Sequence, residues 1–250
     1  MKKQVRTLFS TMRSGSTLVL HCLSQHPNIT CISGTIKKSP TLKTEEISNS
    51  WQEVLSWKHE NDFLFVKNTY DKNIYYPFPD LAIIPLIKPV FLFRDPVQTI
   101  NSIILKKFMN SNLEDAIKAY KEGVVASYTK TKKLSPDNTR CITYETLTEQ
   151  PEQAFAKLLS FWRIPWHPNV INWQEPFSER TFRHDIKSHQ NDIKNAIQDN
   201  HHDTLVKSNQ IISQHSKEIM LSKHDVDLIK IELQELYDQV KSEEITNERN

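Results

Sequence analysis

The sequence predicts an α/β fold: a single domain with a central, mostly parallel sheet flanked by helices, followed by a helical C-terminal third. Short apolar runs at 5–10, 63–67, 90–94 and 139–143 alternate with helical patterns at 16–26, 96–108, 113–132 and 151–163. No Pro/Gly/Ser-rich linker interrupts them, and 250 residues suffice to bury one sizeable core. After Pro176 the pattern is helical only. Residues 1–165 therefore read as the α/β core and 166–250 as the helical part of one domain spanning 1–250.

In chain order, the first strand leads from Val5 into Arg13-Ser14-Gly15-Ser16-Thr17 and then into an apolar helix. A strand that turns abruptly into a helix leaves free N–H groups aimed at one point, which attracts an anion. The hydroxyls of Ser14, Ser16 and Thr17 and the Arg13 guanidinium add donors, so the bound group is a phosphate or a chemical relative. The alternative is a capped helix after a buried strand. Gly-rich phosphate loops are excluded, because the three glycines, Gly15, Gly34 and Gly123, lie too far apart to build one. Segment 30–60 is polar and irregular, a substrate-side lid or loop with a short helix around Trp51 to Trp57. The strand FLFVKNTY carries Lys67 near its end, where it either faces a ligand or snorkels to solvent.

The strand at 90–94 ends in Arg94, followed by Asp95 as cap and Pro96 as first helical residue. Strand ends followed by helix starts are where parallel α/β sheets bind ligands. The strand at 139–143 leads to Tyr144 at its end. Pro151 then suits a first helical turn, and Phe155, Leu158, Leu159 and Trp162 make one apolar stripe. Ser222 with Asp225 resembles a capping box, and Ile229, Leu233, Leu236 and Val240 form the stripe of a core-covering or dimer helix. The terminal SEEITNERN is expected to fray.

Composition narrows the function classes. A net charge of +2 with lysine pairs scattered along the chain argues against a nucleic-acid footprint. The absence of an apolar leader or long apolar stretch predicts a soluble, cytoplasmic protein without a membrane partner. Cys22, Cys31 and Cys141 are odd in number and lack C-x-x-C spacing, so they read as reduced core thiols. The ten histidines fit no zinc-ligand spacing, and no metal is expected.

The Arg13–Thr17 turn resembles the 5′-phosphosulfate loop of the PAPS-dependent sulfotransferase family, as a soluble bacterial-type member. Three further segments extend the resemblance. Arg94 and Ser102 have the eight-residue spacing of the pair that holds the 3′-phosphate of 3′-phosphoadenosine 5′-phosphosulfate (PAPS) in that family. Residues 139–165 are similar to the family's strand, Y-E-D-L, P-E and helix segment, which implies that Tyr144 lies near the adenine or the 3′-phosphate; a half-buried structural tyrosine is the alternative. Residues 186–194, IKSHQNDIK, keep Lys187, Asp192 and Lys194 of the R-K-G-x-x-G-D-W-K clamp, with Lys187 and Arg183 either replacing it or opening a surface helix.

The resemblance implies a P-loop nucleotide hydrolase-like sheet and sulfuryl transfer from PAPS, leaving 3′-phosphoadenosine 5′-phosphate (PAP), to a hydroxyl or amine of a small-molecule or glycan acceptor. Cofactor contacts then fall to Arg13, Ser14, Gly15, Ser16, Thr17, Arg94, Ser102, Tyr144 and Lys187, with Arg13 and Lys67 also steadying charge on the leaving group. On this reading Gly15 serves backbone approach to the ligand rather than the core. Neither familiar general base is present, since Thr69 stands where cytosolic members have histidine and Thr35 follows Gly34 where others have glutamate. Glu45 and Glu46 are the first candidates, followed by His59 and Asp71. A PAP-binding but inactive relative acting as a regulatory or scaffolding module, and a nucleotide-dependent kinase on a related fold, are the alternatives.

Overall fold

The structure is a computed structural model and describes residues 4–33, 51–56, 61–70, 81–105, 112–173, 211 and 219–247. Its centre is a five-stranded sheet of β1 (Gln4–Thr11), β2 (Ile29–Ser33), β3 (Phe63–Tyr70), β4 (Pro89–Phe93) and β5 (Arg140–Thr143), in the order β2-β3-β1-β4-β5. Every neighbouring pair is parallel. The helices are α1 (Ser16–Ser24), α2 (51–56), α3 (Ile84–Ile87), α4 (Pro96–Leu105), α5 (Leu113–Lys118), α6 (Ala126–Leu134), α7 (Tyr144–Glu149), α8 (Pro151–Trp162) and α9 (Lys223–Ser242).

Both faces of the sheet are covered, and the inner strand β4 accordingly reads as an unbroken apolar run, PVFLF, buried at every position. Val5 and Phe9 of β1, Leu64 and Val66 of β3 and Phe91 and Phe93 of β4 point to one face, packed by α2, α4, α5 and α9. Leu8, Phe65, Val90 and Leu92 point to the other, against α1 and α8. Thus α1 leaves β1 toward one face while α4 leaves β4 toward the opposite face. The carboxyl ends of β1 and β4 consequently flank a topological switch point, where an open parallel sheet leaves a crevice for a ligand.

The departures from the sequence reading have local causes. β2 was expected within an irregular segment; it is a five-residue strand at the sheet edge, with Ile29 and Cys31 buried and the polar Thr30 and Ser33 masking its alternation. Tyr144 opens α7 rather than closing a strand, because the Thr143 hydroxyl accepts the Thr146 N–H and starts the helix. The helix expected over 113–132 runs to Leu134 and passes through a π-helical stretch, Ala119–Val125. The expected fraying end is pinned: Ile245 is 2% exposed within the α8 face, and Glu244 accepts a 2.6 Å hydrogen bond from the Thr146 hydroxyl.

The capping box of α9 is formed in both directions between Ser222 and Asp225. Its buried residues are Ile229, Leu233, Tyr237 and Val240, with Leu236 at the margin, so its stripe covers the core. No helix among the described residues is long and apolar enough to cross a membrane.

Two histidines are buried, His21 and His26. His21 of α1 is fully buried with its ring edge-on to Trp173 at 4.7 Å, and burial pushes its pKa down to about 4. His26 accepts the Asn28 N–H at 3.1 Å through Nδ1 and places Nε2 2.9 Å from the Pro165 carbonyl. Burial lowers its pKa, and the neighbouring His167 acts in the same direction. A base with a depressed folded pKa binds fewer protons when native, so the stability it allows is present above its unfolded pKa near 6.5 and is lost progressively as pH falls from there toward the folded value. Urea unfolding should show roughly 2 kcal/mol lost to His21 between pH 6.5 and pH 5. A His21→Phe variant should flatten that slope, and an unchanged slope refutes the assignment.

Candidate active site

The loop after β1 bends by two left-handed residues, Arg13 at φ +63° and Gly15 at φ +95°. Its closure uses Ser14, which is fully buried and donates its hydroxyl to the Thr11 carbonyl at 2.7 Å. The Ser14 hydroxyl, which the sequence reading offers to a ligand, is thus engaged within the turn itself. The α1 ladder begins where the Leu18 N–H reaches the Gly15 carbonyl at 2.9 Å, leaving the amides before it at the helix mouth. Ser16 is 5% exposed, while Arg13, Gly15 and Thr17 are half-buried.

Side chains from the other strand ends meet this loop. The Arg94 guanidinium donates to the Arg13 carbonyl at 3.1 Å and lies 4.5 Å from the Tyr144 ring centre. Arg13 in turn donates through Nε to the Ser102 hydroxyl at 3.1 Å. The Tyr144 ring lies so close over Gly15 that a Cβ there would stand 2.3 Å from Tyr144 Cδ2. On the α1 side, Lys67 Nζ donates to the Thr17 hydroxyl at 3.4 Å. Arg13, Gly15, Thr17, Lys67, Arg94, Ser102 and Tyr144, scattered over 132 positions of sequence, are thus brought together at the sheet's carboxyl edge.

Burial, and then the nearby Arg94 charge, lower the Arg13 pKa. The two positive charges therefore oppose each other in the protein as it stands. Arg13 also spans more of the site than expected. Its Nε is directed to Ser102, the residue the sequence pairs with Arg94, so it bridges the helix-mouth loop and the α4 side.

The sequence reading missed Tyr120, whose hydroxyl donates to the Arg94 carbonyl at 2.8 Å from the π-helical stretch. Its signal was only an apolar i, i+4 series with Ala116 and Val124, which looks like any core stripe. Glu45, Glu46 and Lys187, together with His59, Asp71 and Arg183, lie outside the described residues. Among the described residues, no group of three or more His, Cys, Asp or Glu side chains is arranged to hold a metal ion.

Residues 79–168, which contain Arg94, Ser102 and Tyr144, match the Sulfotransferase family. Among solved structures, the sulfotransferase domain from the curacin biosynthetic pathway superposes with a TM-score of 0.50 at 16% identity, over 93% of this chain and 98% of that one. The chain has a sulfotransferase-family fold. The sulfotransferase domain of the Synechococcus PCC 7002 olefin synthase gives a TM-score of 0.50 at 15% identity, over 92% of this chain and 95% of that domain. The Drosophila melanogaster protein-tyrosine sulfotransferase is 23% identical over 192 residues, 65% of this chain. The aligned stretch spans only 38% of that curated relative's length. In this sulfotransferase fold, the β1 loop and the β4 end of the chain are the parts that flank the crevice.

Proposed function

We propose that the protein transfers a sulfuryl group from PAPS to a hydroxyl or amine of a small-molecule or glycan acceptor. The observation that carries this reading is the convergence of Arg13, Arg94 and Ser102 beside a helix mouth, with Tyr144 laid against them. The residues fit a nucleotide phosphorylated at two places. One anionic group suits the α1 mouth with Ser16, Thr17 and Lys67, and a second suits Arg94 and Ser102, with Arg13 between them. The Tyr144 face offers stacking area beside the Arg94 end.

In the reaction the sulfur–oxygen bond to the 5′-phosphate breaks, a bond from sulfur to the acceptor forms, and the acceptor's proton goes to a base. Charge grows on the departing phosphate oxygen, and Arg13, Lys67 and the loop amides are placed to stabilise it. As in phosphoryl transfer, positioning and electrostatics carry most of the rate enhancement. The Thr69 hydroxyl cannot take a proton usefully near neutral pH, so this reading assigns the base to the Gly34–Asp71 segment, with Glu45 and Glu46 first. Lys187 belongs to the same reading as a clamp on the 3′-phosphate. The three cysteines are free and buried, which supports a reducing, cytoplasmic setting.

Calorimetry should show PAP binding more tightly than adenosine 5′-phosphate, and labelled PAPS should yield a sulfated acceptor. Arg13→Ala should lower kcat about a hundredfold or more, the loss typical of a single oxyanion donor, with little change in the ligand-free melting temperature. Equal affinity for the two nucleotides overturns the reading. The occurrence of threonine at position 69 also favours a second reading, a PAP-binding relative without turnover. Tight PAP binding with no transfer to any acceptor in a broad panel supports that alternative.

A further inference from the structure

The peptide unit joining Arg94 to Asp95 lies between two regular elements, after β4 ends at Phe93 and before α4 begins at Pro96. Its two polar ends are held by side chains instead of a ladder. The Arg94 carbonyl accepts the Tyr120 hydroxyl at 2.8 Å and, at 3.4 Å, the Thr99 hydroxyl, and the Asp95 N–H donates to Glu145 Oε1 at 3.1 Å. Fixing both ends fixes the plane of the unit, and with it the direction in which the Arg94 side chain leaves the chain. Asp95 then uses its own carboxylate to accept the Gln98 N–H at 2.9 Å, starting α4 toward Ser102.

Glu145 has a second partner. Its Oε2 accepts the Tyr237 hydroxyl of α9 at 2.8 Å, and the residue is 8% exposed. A second tie runs from the segment preceding α9, where the Met220 N–H donates to the Asn101 side chain at 2.9 Å, one residue before Ser102. The C-terminal helix and the segment leading into it are therefore fastened next to both members of the Arg94–Ser102 pair, the helix through the Glu145 carboxylate beside Asp95 and the segment through the Asn101 amide beside Ser102.

Resting on the reading of Arg94 as a 3′-phosphate ligand, we propose that Glu145 is a positioning residue for that arginine and couples the cofactor site to α9. Glu145 touches neither nucleotide nor acceptor in this assignment. It sets the peptide from which Arg94 projects, and Tyr237 sets the rotamer of Glu145. Removing the carboxylate leaves the Asp95 N–H without its acceptor and the peptide free to tilt, so that Arg94 loses its aim while the helix mouth keeps its own geometry. The defect is confined to the 3′-phosphate.

The test measures PAP and adenosine 5′-phosphate affinities by calorimetry for the wild type, Arg94→Ala, Glu145→Ala, Glu145→Gln and Tyr120→Phe. Glu145→Ala should reduce the preference for PAP by about tenfold or more while changing adenosine 5′-phosphate affinity no more than about twofold. Glu145→Gln retains an acceptor for the Asp95 N–H and should restore most of the preference. Tyr120→Phe, which deletes one hydroxyl at the other end of the same peptide, should reproduce a partial loss and serves in place of Glu145→Ala if that variant does not fold. A Glu145→Ala or Tyr120→Phe protein that keeps the wild-type preference, or loses both affinities equally, overturns the positioning role. If the wild type itself shows no preference, or Arg94→Ala retains it, the functional reading of Arg94 fails instead.

Discussion

Replacing Arg94 with alanine should weaken PAP binding by about ten- to a hundredfold and leave adenosine 5′-phosphate binding nearly unchanged. A hydrogen bond to a charged group contributes about 1.5–3 kcal/mol, and the guanidinium is a two-pronged donor that can offer more than one. The loss should also exceed that of Ser102→Ala, because a neutral hydroxyl makes the weaker bond. Arg94 is partly occupied in the free protein, donating to the Arg13 carbonyl and lying on Tyr144, so its removal also loosens the β1 loop. Ligand-free melting curves separate the two effects. A folded Arg94→Ala protein that still prefers the 3′-phosphorylated nucleotide removes the strongest residue assignment from the proposed function.

The parts of this molecule that sequence could reveal are those in which chemistry and local pattern coincide. β1, β3, β4 and β5 were legible because most of their residues are buried, whereas in β2 the buried Ile29 and Cys31 alternate with the polar Thr30. The helix-mouth loop was legible because a strand, an arginine, three hydroxyls and a glycine follow each other within a few residues. The Ser222–Asp225 cap of α9 was legible because a capping box is wholly local. What escaped is long-range. The tie from Tyr120 to the Arg94 carbonyl joins residues 26 apart, and that from Glu145 to Tyr237 joins residues 92 apart. No spacing rule connects such pairs, and each member taken alone resembles an ordinary core tyrosine or helix-start acid. Ser14 shows a local tie that spacing does not reveal, since its hydroxyl also closes the turn onto the Thr11 carbonyl.

Gly15→Ala should damage both fold and site, whereas the sequence reading has this glycine serve the ligand rather than the core. The backbone there stands at φ +95°, a region in which a side chain costs about 1–2 kcal/mol. The added methyl would stand 2.3 Å from Tyr144 Cδ2 and 2.9 Å from Cε2, well inside contact distance, and overpacking of this kind costs about 1–3 kcal/mol. Tyr144 is 5% exposed, and it carries Arg94 on its ring at 4.5 Å, so moving it to relieve the clash displaces the arginine as well. Chemical denaturation should therefore show a loss of about 2–5 kcal/mol, and the remaining folded protein should bind PAP poorly. The steric part of that loss can be isolated with Tyr144→Ala. In the double variant the methyl meets open space, so the two changes should be less than additive, with a coupling of about 1–3 kcal/mol, while the backbone strain at position 15 persists. If Gly15→Ala keeps wild-type stability, or the two changes simply add, the ring is not lodged against the loop in solution, and the reason for a glycine at this position must then be sought in the ligand.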